Sequence, residues 1–227
     1  MKQTDLGILL NRTSYSESSL ILTFYTQEEG IQKFIFQGGK KKNNNLFPLN
    51  ICELTFYKRP DSDLRKLTQT DSLLPLNSII SNPIKSIIAF FLVDVIRHSL
   101  KTNEKEEKLF TFLQEKIIEL DKTEETSNFP LLFLSEFTSF LGIQPSINDD
   151  NILYFSYNEG EFHSDYRIGE WSEEGENVIH LYNLFQLNEV NQKHRKKLLD
   201  ILLQYYKLHI PHFNVEKSLD VIRDVLN

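Results

Sequence analysis

The first 75 residues contain short apolar runs with a period of two, separated by polar turns. In the third run, Gln32, Phe34 and Phe36 occupy alternate positions, which is typical of a strand with one buried face. Aromatic and β-branched residues, which favour strands, are frequent in these runs. The pattern predicts five strands, at Thr4–Leu10, Leu20–Tyr25, Ile31–Gln37, Leu49–Lys58 and Leu64–Asp71.

Five short strands in about 75 residues are typical of a small barrel, and the OB-fold is one such five-stranded design. An SH3-like barrel is the alternative. Beyond Pro75, apolar residues recur at intervals of three and four, so the rest of the chain is expected to be mostly helical. The predicted helices are Ile84–Ile96, Glu104–Leu120, Asn128–Leu141, Glu189–Leu208 and Val215–Leu226, and the first three are expected to form a bundle.

A short hairpin is predicted where Ile152–Tyr157 and Glu161–His163 flank the turn at residues 158–160. The predicted fold class is therefore α+β. We expect an OB-fold domain at residues 1–76 and a mostly helical domain at residues 77–227, with a hairpin insertion at about residues 147–180.

Composition narrows the classes of protein that this chain can represent. The longest apolar run, Ile87–Val93, is too short to span a membrane, and the first residues lack the pattern of a signal peptide. The single cysteine, Cys52, lies in a predicted strand and is interpreted as a buried small hydrophobe. These features predict a cytoplasmic protein.

The net charge of −7 is unevenly distributed. Residues 1–75 hold 10 Lys and Arg against 8 Asp and Glu, a net charge of +2, whereas residues 76–227 hold 15 against 24, a net charge of −9. Such asymmetry indicates that only one part of the chain faces a polyanion.

The basic segment at residues 38–45 is the most informative local feature. It has no periodicity and is expected to be an exposed loop, on which adjacent cations and flexible glycines can approach several phosphates. Further cations and aromatic residues surround it, a combination found in barrels that bind single strands. The candidate nucleic-acid contacts are Gly38, Gly39, Lys40, Lys41, Lys42, Lys58, Arg59, Arg65 and Lys66. The candidate stacking residues are Tyr25, Phe34, Phe36, Phe56 and Tyr57, most of which must form the core.

A second basic cluster lies at the start of a predicted helix in the acidic part of the chain. It is either a solvated helix face or a secondary phosphate contact, and the sequence favours neither. Its members are Lys193, Arg195, Lys196 and Lys197.

No motif for catalysis or for a resident cofactor is recognised. His209 and His212 are three residues apart, but no cysteine or carboxylate stands at a matching zinc spacing and Pro211 interrupts any helix between them. Structural roles are therefore favoured over metal binding for His163, His180, His194, His209 and His212.

The amino-terminal motifs resemble those of the RecO family of bacterial recombination mediators. They are Tyr15–Thr23, Thr26–Gly30, Gly38–Lys42, Leu46–Leu49, Tyr57–Arg59 and Asp63–Leu64. A weaker resemblance continues through Asn128–Gly142 and Leu202–His209.

The resemblance implies an OB-fold followed by a helical domain, in a protein that binds single- and double-stranded DNA and anneals complementary strands. It also implies partnership with RecR, with the tail of single-stranded DNA-binding protein (SSB) and with RecA loading, in the bacterial cytoplasm at the nucleoid. Many members carry a four-cysteine zinc module, but Ile143–Asn177 contains no cysteine here, so zinc is expected to be absent and the short hairpin is expected to replace the module. An acidic, Phe-ended tail needs an apolar pocket beside cations, for which Arg97, Lys101 and Lys108 are the candidates.

Two rival functions are left open by the sequence. One is an adaptor that binds only proteins and whose basic loop merely adds solubility. The other is a nuclease that uses Mg²⁺ held by carboxylates such as Asp61, Asp63 and Asp71.

Overall fold

The computed structural model describes residues 2–42, 46–58, 64–100, 106–147 and 151–225. Within them, five strands close into a barrel in the spatial order β1-β2-β3-β5-β4. β3 pairs in parallel with β5, and the other neighbouring strands are antiparallel. The strands are β1 (Lys2–Ser14), β2 (Leu20–Thr26), β3 (Gly30–Phe36), β4 (Ile51–Tyr57) and β5 (Leu64–Ser72). The predicted OB-fold is confirmed.

Alternate residues of the strands fill the barrel interior. In β3, Phe34 and Phe36 are buried, whereas Lys33 between them is exposed, as the period of two predicts. The ring of Phe34 meets those of Phe24 and Phe56 edge to face, with centroids 5.8 and 5.1 Å apart. This geometry brings the positive edge of one ring to the negative face of the next, which adds to the burial free energy.

Cys52 of β4 belongs to the same core and is fully buried. Burial raises the pKa of its thiol to about 11, so the group is protonated at neutral pH. The interpretation of Cys52 as a small buried hydrophobe is confirmed.

The chain divides into two compact units, Met1–Thr123 and Glu124–Asn227. The first unit contains the barrel and helices that pack on it. Tyr25 of β2 stacks on Phe110 with centroids 6.1 Å apart, and Phe47 meets Phe90 at 5.6 Å. The helices are α1 (Gly39–Lys42), α2 (Asn77–Ser81), α3 (Pro83–Ser99) and α4 (Glu107–Lys122). This compact unit therefore extends beyond the expected boundary between residues 76 and 77.

A buried lysine links helices α2, α3 and α4. Lys85 of α3 donates from Nζ to the hydroxyl of Ser78 at 2.7 Å and to the backbone carbonyl of Asp121 at 2.8 Å. Asp121 lies in the last turn of α4, where the helix dipole favours a cation. Its carboxylate in turn accepts a hydrogen bond from the N–H of Ile79 at 2.9 Å.

The second unit combines helices with a small sheet. α5 packs with α6 and α7 in this unit, while α3 and α4 belong to the first unit, so the three helices predicted to form one bundle are divided between the two units. Periodicity identified the apolar faces of these helices but not the elements against which each face packs. The helices are α5 (Phe129–Phe140), α6 (Glu176–Leu187), α7 (Arg195–His209) and α8 (Glu216–Val225).

The predicted hairpin is present as part of a larger sheet with the order β6-β8-β7-β9. β7 and β8 form the hairpin, β6 pairs with β8 in parallel, and β9 pairs with β7 antiparallel. The hairpin was predicted from its turn at residues 158–160, whereas the outer strands, with two and three residues, are too short to display a period. The strands are β6 (Ser146–Ile147), β7 (Tyr154–Ser156), β8 (Glu161–His163) and β9 (Ser172–Glu174).

Helix α6 was not predicted, and α7 begins later than expected. A 3-10 turn, Gln192–His194, precedes α7, and the expected helix start at Glu189 is wrong because Asn188 adopts a left-handed conformation that ends α6. None of the described helices is long and apolar enough to cross a membrane.

Candidate nucleic-acid interface

The basic segment after β3 is folded into a turn and one turn of helix. Gly38 has a φ of 71°, a left-handed conformation that glycine adopts without strain, and α1 follows directly. The N–H of Lys41 donates to the carbonyl of Gly38 at 3.1 Å, and the N–H of Lys40 donates to the carbonyl of Ser18 at 3.3 Å. The expectation of an irregular loop over Gly39–Lys42 is therefore wrong, because a contact distant in sequence anchors the segment.

Gly39 allows α1 to pack closely against the barrel. It is buried, and a Cβ atom at this position would lie 2.7 Å from Cδ1 of Phe36 and 3.2 Å from Cδ1 of Leu20. Gly39 thus serves packing instead of providing flexibility, and it fixes the position of the adjacent lysines.

Two of the three candidate lysines of α1 are described with their side chains. Lys41 is exposed and Lys40 is partly exposed, and neither forms an ion pair with a described acidic group. The side chain of Lys42 lies outside the described residues. Lysines without an acidic partner keep their full charge available to an external anion.

The loop between β1 and β2 adds an aromatic ring to this end of the barrel. The same loop provides the Ser18 carbonyl that holds α1, and it carries Tyr15, which is 60% exposed. In OB-folds, the loop between strands 1 and 2 commonly contacts oligonucleotides. Tyr15 is not one of the stacking residues predicted from the sequence, although its position in a polar turn could have indicated exposure.

A second aromatic residue lies beside a lysine on the outer barrel surface. Tyr57 is 43% exposed and pairs across β4 and β5 with Lys66, which pairs in turn with Ile35 of β3. Lys66 is partly exposed, and Lys33 on the same outer surface is exposed. An aromatic face beside cations is a suitable surface for a base and its phosphate. Lys33 is not one of the contacts predicted from the sequence, although its alternation with buried residues could have indicated its exposure.

The remaining aromatic candidates form the core, as expected for most of them. Tyr25, Phe34, Phe36 and Phe56 are each at most 2% exposed. They cannot stack on a base without opening the barrel.

Two of the candidate cations form ion pairs with an acidic side chain of the barrel. The carboxylate of Glu29 accepts hydrogen bonds from Arg65 and from Lys58, the latter at 3.0 Å. The bond from Arg65 is the main cause that lowers the pKa of Glu29. Arg65 is only 5% exposed, and its guanidinium lies over the ring of Phe56 at 5.4 Å.

Arg65 therefore stabilises the barrel and presents no charge to solvent, which corrects its interpretation as a phosphate contact. Lys58 remains exposed but shares its charge with Glu29. Arg59, together with Asp61 and Asp63 of the nuclease alternative, lies outside the described residues.

In the second basic cluster, two residues likewise bind other side chains of the protein and two do not pair with a described acidic group. Arg195 donates from Nε to Oδ1 of Asn128 at 2.7 Å, and Lys197 pairs with Glu173 at 3.0 Å. Lys193 and Lys196 are exposed, and neither forms an ion pair with a described acidic side chain. Only these two remain as candidate phosphate contacts of the cluster.

The candidate residues for binding a protein tail lie on two helices of the first unit. Arg97 of α3 and Lys108 of α4 are exposed, and Lys101 lies outside the described residues. The second unit contains a groove of about 460 Å³ between α7 and α8, whose lining includes Leu203 and Leu219 but neither Arg97 nor Lys108.

Two of the histidines serve the structure of the second unit. His163 donates from Nδ1 to the carbonyl of Asp165 at 2.8 Å, and His209 donates from Nε2 to the carbonyl of Tyr157 at 2.8 Å. The structural role expected for these two residues is confirmed.

Comparisons with known proteins cover nearly the whole chain. Residues 1–75 match the family model "Recombination protein O N terminal", and residues 80–218 match "Recombination protein O C terminal". Proteins named DNA repair protein RecO are similar along their full length. The protein of Flavobacterium psychrophilum is 29% identical over 97% of this chain and 98% of its own length, that of Christiangramia forsetii 29% over 96% and 97%, and that of Bacteroides fragilis 30% over 100% of both.

The barrel, its basic surface and these matches define a bacterial-type DNA repair protein with an amino-terminal OB-fold. More specifically, the chain belongs to the RecO family.

Proposed function

We propose that the protein is a recombination mediator that binds single- and double-stranded DNA, anneals complementary strands and helps RecA to load onto single strands coated with SSB. Membership of the RecO family and the OB-fold support this proposal. The observation that carries it is the anchoring of Lys40 and Lys41 at the end of the barrel that also carries Tyr15, with no acidic partner for either lysine among the described residues.

Annealing breaks no covalent bond, so the protein needs only to bring two strands together and to keep their bases accessible. Two polyanionic strands must approach each other, and cations on the protein reduce their repulsion by replacing condensed counterions. Aromatic side chains such as Tyr15 and Tyr57 can hold bases unpaired until complementary bases meet. In this mechanism Lys40, Lys41, Lys42 and Lys66 bind phosphates, and Lys193 and Lys196 provide a secondary contact.

Binding to DNA should depend steeply on salt, and the dependence should be carried by α1. Each phosphate contact to a single strand contributes about −0.7 to the slope of log K against log salt concentration. Replacing Lys40, Lys41 and Lys42 together by Gln should make the slope less steep by about 2 and weaken binding to a labelled oligonucleotide, as measured by fluorescence anisotropy at several salt concentrations.

A matched control removes the same charge elsewhere. The variant with Lys116, Lys122 and Lys207 changed to Gln should retain the salt slope of the wild type. If the α1 variant also retains both affinity and slope, the basic segment does not bind DNA, and the adaptor that binds only proteins becomes the better description.

We further propose that the acidic remainder of the chain, with a net charge of −9, is the platform for protein partners such as RecR. For the acidic, Phe-ended tail of SSB, the proposed contacts are Arg97, Lys101 and Lys108. Changing Arg97 and Lys108 to Glu should weaken binding of the tail peptide at least about tenfold, since two favourable charge contacts become repulsive. The control Lys122→Glu should bind normally, and unchanged binding by the double variant would exclude this surface.

A further inference from the structure

Three residues with metal-binding side chains meet where α6 and α7 begin. Glu176 and His180 are four residues apart in the first turns of α6, which brings their side chains to one face of the helix. His194 ends the 3-10 turn before α7. One carboxylate oxygen and one nitrogen from each imidazole lie within 4.8 Å of one another.

The orientation of His194 is fixed by a second layer of hydrogen bonds. Its Nδ1 donates to Oδ1 of Asn177 at 3.2 Å, and the amide of Asn177 donates to Oε1 of Glu173 at 3.0 Å. Because Nδ1 carries the proton, Nε2 has a free lone pair, and it lies 3.9 Å from Oε2 of Glu176. Metal-ligating histidines typically have this arrangement, in which one nitrogen binds the ion and the other is held by an oxygen.

The second imidazole completes a set of donors suited to zinc. The rings of His180 and His194 have centroids 4.0 Å apart and are inclined at 42°. Zinc binds imidazole nitrogen and carboxylate oxygen at about 2.0 to 2.2 Å, so tetrahedral ligands lie about 3.3 Å from one another. To reach this value, the exposed Glu176 side chain would have to rotate and the two imidazole rings would have to change their relative orientation.

We propose that Glu176, His180 and His194 bind one zinc ion, with a water molecule in the fourth position. The site requires no cysteine and therefore differs in chemistry from a four-cysteine zinc module, which the sequence lacks. The ion would join the start of α6 to the start of α7, and it would fix the segment that carries Lys193 and Lys196.

The test uses the full chain after treatment with a chelator and its removal. Calorimetric titration with Zn²⁺ should give a stoichiometry of one ion per chain. Co²⁺ in place of Zn²⁺ should produce the visible absorption of a tetrahedral site. Glu176→Gln, His180→Asn and His194→Asn should each weaken Zn²⁺ binding at least about tenfold. Zn²⁺ should also raise the melting temperature of the wild type but not that of the double variant His180→Asn/His194→Asn.

Controls separate loss of a ligand from loss of the fold. The Glu176 side chain is 83% exposed, so Glu176→Gln should leave the melting temperature of the metal-free chain unchanged while weakening Zn²⁺ binding. His212→Asn should bind Zn²⁺ normally, because His212 is exposed with a φ of 62°, which asparagine tolerates. The proposal is overturned if the wild type binds no Zn²⁺ or if the double variant binds it as tightly as the wild type.

Discussion

At the scale of single residues, Gly39 determines how closely α1 approaches the barrel. Alanine is normally the better helix former, with an advantage over glycine of about 0.5 to 1 kcal/mol. Here the added methyl group would lie 2.7 Å from Phe36, and overpacking typically costs about 1 to 3 kcal/mol. The steric term therefore exceeds the gain in helix propensity.

Gly39→Ala should accordingly lower the free energy of unfolding by about 1 to 2 kcal/mol, as measured by urea denaturation. Gly38→Asn is the control, because nothing lies within 4 Å of a Cβ at Gly38 and asparagine tolerates its positive φ. A Gly39→Ala variant as stable as the wild type would show that α1 is free to move away from Phe36.

Glu29 is the second residue on which the barrel depends. Its pKa is lowered by Arg65, so it stabilises the fold above its usual pKa of 4.5, and this contribution is lost as the pH falls through the lowered value. Glu29→Gln should cost about 1 to 3 kcal/mol at pH 7, because Arg65 stays buried without its charged partner.

The difference in unfolding free energy between Glu29→Gln and the wild type should shrink at pH values below the lowered pKa. Lys58→Gln should cost less than about 0.5 kcal/mol, because Lys58 is exposed. A Glu29→Gln effect that is independent of pH would contradict an ionic role for Glu29.

Arg65 also illustrates what residue types alone conceal. A basic residue near a turn is usually exposed. Arg65, however, lies two positions before the core residue Leu67 and therefore on the same, buried face of β5. Period two, applied strictly to β5, would have placed Arg65 inside the barrel. The anchor of α1 on Ser18 had no such signal, because the two segments are distant in sequence.

At the scale of elements, the strands were more predictable than the helices of the second unit. Strands of seven or more residues display their alternation fully, whereas strands of two or three residues cannot. Helix α6 had a readable pattern, since Val178, Leu181 and Leu184 are buried at intervals of three. The acidic residues before α6 are typical of a loop, so the start of the helix was not predicted.

Lys85 joins three elements, so its replacement tests their packing. Lys85→Met keeps most of the side-chain volume but removes the donors to Ser78 and to the Asp121 carbonyl. Leaving these partly buried groups without partners should lower the free energy of unfolding, as measured in urea, by about 1 to 3 kcal/mol. Lys41→Met, at an exposed position, should change it by less than about 0.5 kcal/mol, and equal effects of the two variants would contradict the proposed link.

At the scale of the whole molecule, sequence similarity and compactness divide the chain differently. The family models divide it between residues 75 and 80, close to the expected boundary, whereas the compact unit ends at Thr123. Composition cannot reveal this difference, because helices α2 to α4 resemble helices of any domain. The aromatic pairs Tyr25 with Phe110 and Phe47 with Phe90 account for the larger unit.

A fragment of residues 1–123 should therefore unfold cooperatively, whereas residues 1–76 should be less stable by at least about 2 kcal/mol. The shorter fragment exposes Tyr25, which is 2% exposed in the whole chain. Thermal unfolding followed by circular dichroism compares the two fragments, with Phe110→Ala in the longer one as an intermediate case. Equal melting temperatures would show that the barrel needs no helical support.

The position of β5 between β3 and β4 has a consequence for the order of events during synthesis. β1, β2 and β3 are neighbours in sequence and in space, so they can pair as soon as residue 36 has left the ribosome. The barrel cannot close until β5, which ends at Ser72, has emerged and inserted between strands made earlier. Until then the nascent meander has two open edges, which are available to other chains for pairing.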